Sequence, residues 1–267
     1  MVRTVRNRFA RAIAVPLVAA VGMVAGYTQF ADVITGDVAR IVGNATADAF
    51  DTGIDPVRTA TADRPTPTPV SAPVAAHPDA EIRRWVGHAV AALASVPVEP
   101  EFRRGYERSD WPHWSDEDGD CMDARHETLV AQSSRRVRTD RSGCRVVAGV
   151  WVDPYTAQVF TDPSDLDVDH VVPLQEAHDS GGHSWSRARR EAFANDLAFG
   201  RSLMAVEAAA NRSKGAKGPE EWLPPSRAHL CVYVADWTLV KHRWGLSMDE
   251  RERVVVGNVL SSCSGSA

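Results

Sequence analysis

The chain has 267 residues, 44% of them hydrophobic, and a formal net charge of −5. That balance excludes a protein that holds nucleic acid by bulk positive charge alone. The hydrophobic share is ordinary for a globular chain with room for one large domain or two small ones.

The first twelve residues, "MVRTVRNRFARA", carry four arginines and no acid, and "IAVPLVAAVGMVAGY" then runs apolar for 15 residues. A basic start and a short apolar run form an export signal, since a membrane span needs roughly 20 residues. Residues 1–30 are therefore expected to be a signal peptide cut near "VAG", or else an N-terminal membrane anchor. Either way the protein is secreted or held on the extracytoplasmic face of the membrane. Residues 31–78 crowd Thr, Ala, Pro and Asp around "PTPTPVSAP" and lack the apolar surface to order themselves, which predicts a disordered linker.

Order resumes at 79, where "DAEIRRWVGHAVAAL" spaces Ile82, Trp85, Val86, Ala89, Val90 and Leu93 as one helical face, with Asp79 as N-cap. One domain, 79–267, follows. "CRVVAGVWVDPYTAQVF" reads as two short strands around an Asp-Pro turn, and "LDVDHVVP" as a third strand that Pro173 ends. "SWSRARREAFANDL" is a helix capped by Ser184 or Ser186. "SLMAV" is a strand leading into the helix "EAAANRSKG", which Gly215 closes, and "MDERERVVVGNVLSSC" is a last helix. The class is α+β. Cys121, Cys144, Cys231 and Cys263 allow three pairings; in an oxidising compartment their order favours Cys121 with Cys144 and Cys231 with Cys263.

"DLDVDHVVPLQEAH" puts acids and a histidine on an apolar strand, which is costly unless a metal ion or phosphate partners them. Asp169 offers a hard carboxylate oxygen, and Asn211, some 40 residues on, offers an amide oxygen from a helix. Such donors suit Mg²⁺ and leave room for water and a substrate phosphate. Neighbours on a regular strand face opposite ways, so a bend or bulge is expected for Asp169 and His170 to meet one phosphate.

"DVDHVVPL" with "NRSKG" resembles the HNH, or ββα-metal, endonucleases. The match is closer to exported bacterial HNH proteins that share the "C…W.DPYT" lead-in, the "W…R…FANDL" helix and the "PEEWLPP…C" tail, over roughly 110–263. This resemblance implies a ββα-metal core at about 166–217 within a disulfide-stabilised domain. It implies His170 as general base, Asp169 and Asn211 as ligands of one Mg²⁺ (Mn²⁺ as substitute), and Arg212 or Lys214 near the phosphates of a nucleic-acid substrate, DNA before RNA. The asparagine that commonly orients the histidine is replaced by Ser202, and Asn195 is the favoured substitute.

Three other readings bear weighing. His178 and His183 could join His170 in a zinc site, though their spacing fits no ligand pattern. "DEDGDC" at 116–121 alternates acids like a calcium loop but lacks the closing Glu, so an acidic turn before a disulfide is preferred. The whole chain could be a non-catalytic, disulfide-bonded cell-envelope binding protein on the same scaffold.

Overall fold

The structure, a computed structural model, describes residues 79–265; the expected signal or anchor at 1–30 and the linker at 31–78 lie outside them. Helix α1, Asp79–Leu93, buries Val86, Ala89 and Leu93, while Val90 is 44% exposed, so the apolar face is narrower than its spacing suggests. It packs against α6, Arg227–Trp244, and α7, Glu250–Ser264. Helix α6 buries every residue from Val232 to Lys241. A helix surrounded by protein has no polar stripe, and the amphipathic signal that reveals other helices is missing from its sequence. The disulfide Cys231–Cys263 clamps α6 to the last turn of α7.

Helices α6 and α7 grip the middle of the chain through a buried cation. Lys241 on α6 is fully buried and donates to Glu176 Oε1 at 2.7 Å, Glu252 Oε2 at 2.6 Å, Ser180 Oγ and the Ser247 carbonyl. Glu176 and Ser180 belong to α3, Leu174–Asp179, and its C-cap. A buried ammonium survives only with such a set of anionic and carbonyl partners.

The other half is built from small antiparallel pairs: β1, Arg138–Thr139, with β2, Val146–Ala148; β3, Trp151–Val152, with β4, Val159–Phe160; and β5, Leu166–His170, with β6, Leu203–Glu207. Helix α2, Ala124–Gln132, is capped by Asp123 and lies on β6. Its Gln132 amide donates to the Leu203 carbonyl and accepts from the Ala205 N–H, both at 2.8 Å, occupying the free edge of that strand. Leu129, Val146, Trp151, Leu166, Val168, Leu203 and Ala205 form the core between them. Cys121–Cys144 ties the loop before α2 to the β1–β2 hairpin.

The class is α+β with two disulfides, as the sequence indicates. Helix α4, Arg187–Ala194, takes Ser186 rather than Ser184 as its cap, the Ser186 hydroxyl accepting from Arg189 N–H. Helix α5, Ala208–Lys214, follows β6 directly and ends at Gly215, whose φ of 57° a side chain would strain. Helices α2, α3 and α6 lie outside the elements read from the sequence.

Candidate active site

Strand β5 pairs with β6 in unbroken register, Leu166 opposite Glu207 through His170 opposite Leu203. No bulge bends it. Alternation therefore sends Leu166, Val168 and His170 to one face and Asp167 and Asp169 to the other, which corrects the expectation that a bulge turns Asp169 and His170 the same way.

On the acidic face, the strand spacing i, i+2 meets the helix spacing i, i+3 of α5. Asn211 Nδ2 donates to Asp167 Oδ2 at 3.1 Å, and Lys214 Nζ lies 2.9 Å from Asp169 Oδ1 and 2.8 Å from Oδ2. Lys214 also donates to the His170 carbonyl at 2.9 Å, and Tyr155 O–H donates to Asp169 Oδ2 at 2.6 Å. Lys214 is fully buried and Asp169 5% exposed. Burial pushes the Asp169 carboxyl up and the Lys214 ammonium down, and their mutual attraction opposes both shifts. Lys214 thus reaches no solvent from which a phosphate could approach; Arg212, one helical face away, is exposed.

On the opposite face, His170 Nε2 lies 2.9 Å from the Ala194 carbonyl at the end of α4. A carbonyl only accepts, so Nε2 carries the hydrogen and Nδ1 carries the lone pair. Burial pushes the imidazole down to about 3, helped by the charges of His113, Arg108 and Lys214. The ring is neutral at physiological pH. Trp114 stacks on it, centroids 5.3 Å apart and planes 29° from parallel.

Trp114 has φ 61°, a conformation a bulky residue adopts only when its surroundings compel it. Asn195 supplies that compulsion: its Oδ1 accepts from Ser115 N–H at 2.9 Å, and its Nδ2 donates to the Pro112 carbonyl at 3.0 Å and the Glu191 carbonyl at 2.8 Å. The Asn195 side chain therefore bonds the loop on both sides of Trp114, and the direct hydrogen bond to the ring comes from the Ala194 backbone. Ser202 Oγ turns to Asp196 Oδ2 instead.

Residues 123–255 match the family model described as the C-terminal domain of GmrSD restriction endonucleases. An "Uncharacterized secreted protein" of the fungus Arthroderma benhamiae is 36% identical over 200 residues, spanning 74% of this chain and 91% of that one. The chain belongs to the family of that secreted protein, and its residues 123–255 are similar to the restriction-endonuclease domain. No solved structure matches it. The matched span of the domain contains β5, β6 and α5 with their facing side chains, and α4 with the carbonyl that holds His170.

The oxygen donors on the acidic face of this nuclease-family domain fit a divalent ion. Asp167 and Asn211 are half-buried and adjacent, a carboxylate and an amide of the hard type that Mg²⁺ prefers. Asp169 adds a second carboxylate, shared with the Lys214 ammonium. The histidine triad does not assemble: His178 Nε2 and His183 Nδ1 meet the carbonyls of Arg104 and His178. Among the described residues, the acids Asp116, Asp118 and Asp120 form the group of three ligand types within 4.8 Å, exposed and bonded to their own turn through Gly119, Cys121, Asp120 and Met122 N–H groups. Tyr155 and Trp114 are the site residues that sequence reasoning passed over; Tyr155 lies inside the quoted "DPYT", and Trp114 stands two residues before "DEDGDC".

Proposed function

We propose that the protein is an exported HNH-type endonuclease that hydrolyses phosphodiester bonds of DNA, with RNA as the second substrate, leaving 5′-phosphate and 3′-hydroxyl ends. The observation that carries this reading is the His170 ring, neutral, fixed at Nε2 by a carbonyl and bare at Nδ1. A base that must accept a proton from water needs that state. The negative charge of a bound phosphodiester favours the imidazolium and raises its basicity at the moment it is required. On this reading the scissile phosphate lies across the end of β5 that His170 closes, the base meeting it from one face of the strand and the carboxylates from the other.

Asn211 and Asp169, with Asp167 beside them, would hold one Mg²⁺ or Mn²⁺. Bound there, the ion would stabilise charge on the phosphate oxygens. Lys214 holds Asp169 and the His170 carbonyl together, tying the two faces of the strand. Arg212, exposed on α5, would meet the nucleic-acid backbone. The family supports the substrate class, and the disulfides and the secreted relative support an extracellular location, with contact to a membrane only through the N-terminal segment.

The Asp169–Lys214 pair favours a second reading, a binding protein on the same scaffold whose carboxylate is permanently neutralised. Plasmid nicking separates the two. Full-length protein with both disulfides formed should nick supercoiled plasmid in Mg²⁺ or Mn²⁺, stop in EDTA, and lose about 10²- to 10⁴-fold in rate on His170→Ala. Folded wild-type protein that leaves plasmid intact with either metal would end the nuclease reading.

A further inference from the structure

Residues 107–115, ahead of the span that the family model matches, form an arm against the face of β5 that carries His170. The 3-10 turn of this arm, Arg108–Asp110, leads to Trp111, which is fully buried and packs on Trp185 and Phe193. Helix α4 holds the arm in place: Arg187 donates to the Ser109 carbonyl at 3.3 Å, Arg190 pairs with Asp110 at 3.5 Å, and Ser115 Oγ donates to Glu191 at 3.0 Å. The same helix ends in the carbonyl that fixes His170, so arm and base share one frame.

On this arm stands a cation without an anion. Arg108 is exposed, and its Nη2 donates to His113 Nε2 at 3.3 Å, with the Tyr106 hydroxyl beside it. His113 Nδ1 donates to the Trp111 carbonyl at 2.8 Å, which leaves Nε2 as the acceptor and the ring neutral. Among the described residues Arg108 forms no ion pair, whereas Arg190, Arg201 and Arg243 each meet a carboxylate. The His113 ring lies 6.5 Å from that of His170, and the charge of Arg108 is felt at the same ring. A guanidinium carries five donors in a planar fork that matches two oxygens of a phosphate, and a neutral imidazole leaves most of that fork free.

We propose that Arg108 clamps the scissile phosphodiester beside His170, its fork on the non-bridging oxygens, and so acts as a catalytic residue from outside the matched span. The clamp rests on the nuclease reading. The guanidinium opposes the negative charge that grows on the phosphate as water attacks, and its seat on α4 spares it reorganisation at that moment. Charge and substrate class agree. A net charge of −5 gives the chain no bulk hold on a polyanion, and a fixed local cation supplies one where the chemistry occurs.

The test uses full-length protein with both disulfides formed. Nicking of supercoiled plasmid in Mg²⁺ gives kcat/KM, and the anisotropy of a short fluorescent DNA duplex in EDTA gives affinity without cleavage. Arg108→Gln should lower kcat/KM by about 10²-fold, and should weaken duplex binding roughly tenfold with a salt dependence shallower by about one ion. Arg108→Lys should restore the salt dependence but only part of the rate, because an ammonium cannot grip two oxygens as a fork. Arg141→Gln, which removes an exposed arginine from the β1–β2 turn, should leave both readouts unchanged. Wild type that fails to nick would end the nuclease reading and the clamp with it. Where wild type nicks, the clamp alone is overturned by Arg108→Gln cutting and binding as wild type does, by a full rate in Arg108→Lys, by an equal loss in Arg141→Gln, or by a fallen urea midpoint in both Arg108 variants.

Discussion

Replacing Lys214 by methionine keeps the length of the side chain and removes its charge. Asp169 then retains one donor, the Tyr155 hydroxyl at 2.6 Å, and the His170 carbonyl loses the ammonium at 2.9 Å. Removing one partner of a buried ion pair costs about 3–5 kcal/mol, and the surviving Tyr155 bond places this case near the lower end. The deficit should depend on pH. Burial already lifts the folded-state pKa of Asp169 above its ordinary 3.8, and loss of the neighbouring cation lifts it further. The penalty of the bare carboxylate is thus full above that raised value and fades as pH falls toward 3.8, so Lys214→Met should be worse at pH 8 than at pH 4. Urea unfolding at both pH values, with disulfides intact, measures it. Asp169→Asn added to Lys214→Met should recover at least half of the loss at pH 8. A deficit below about 1 kcal/mol, or a double variant no more stable than the single one, would refute the buried pair as the strut of this face.

Asn195→Ala should cost about 2–3 kcal/mol in urea unfolding, since three hydrogen bonds to backbone disappear, and should slow nicking by roughly tenfold through the freed Trp114; an unchanged rate would separate the clamp from the chemistry. Nitrogen-detected NMR of His170 should find Nε2 protonated, Nδ1 bare and the ring neutral at pH 5. Because the unfolded ring takes its proton near 6.5 and the folded ring only near 3, this histidine should make stability decline as pH drops between those values, a contribution that His170→Gln removes. Cys231→Ala with Cys263→Ala opens a loop of 32 residues and should lower stability by about 3–4 kcal/mol, read as a shift in the urea midpoint.

Where local chemistry dictates structure, the sequence was legible. The β5 strand, the β6 strand, the helix closed by Gly215, the final helix and both disulfides follow from alternation, capping and cysteine order. Helix α6 escaped because burial on all sides erases periodicity, and α3 because its six residues follow directly on Pro173, where a strand was seen to end. Among the site residues, the chemistry of Asp169, His170 and Asn211 was visible in their types. Their partners were not, for Lys214 reads as a surface cation until the fold buries it completely, and two of the chain's three lysines share that fate. Asn195 was singled out for the right neighbourhood, but its reach to Pro112 and Ser115, more than 75 positions away, is set by tertiary packing alone.

The atom that decides the tautomer of His170 belongs to no side chain. Because the acceptor is the Ala194 carbonyl, exchange of residue 194 leaves the oxygen in place, and an alanine scan of the whole domain would pass over it in silence. Loss-of-function screening would instead report on whatever seats α4, chiefly Ser186 at its start and Glu191 and Asn195 toward its end. Mutational maps of this domain should therefore light up around the helix and leave dark the position that does the holding.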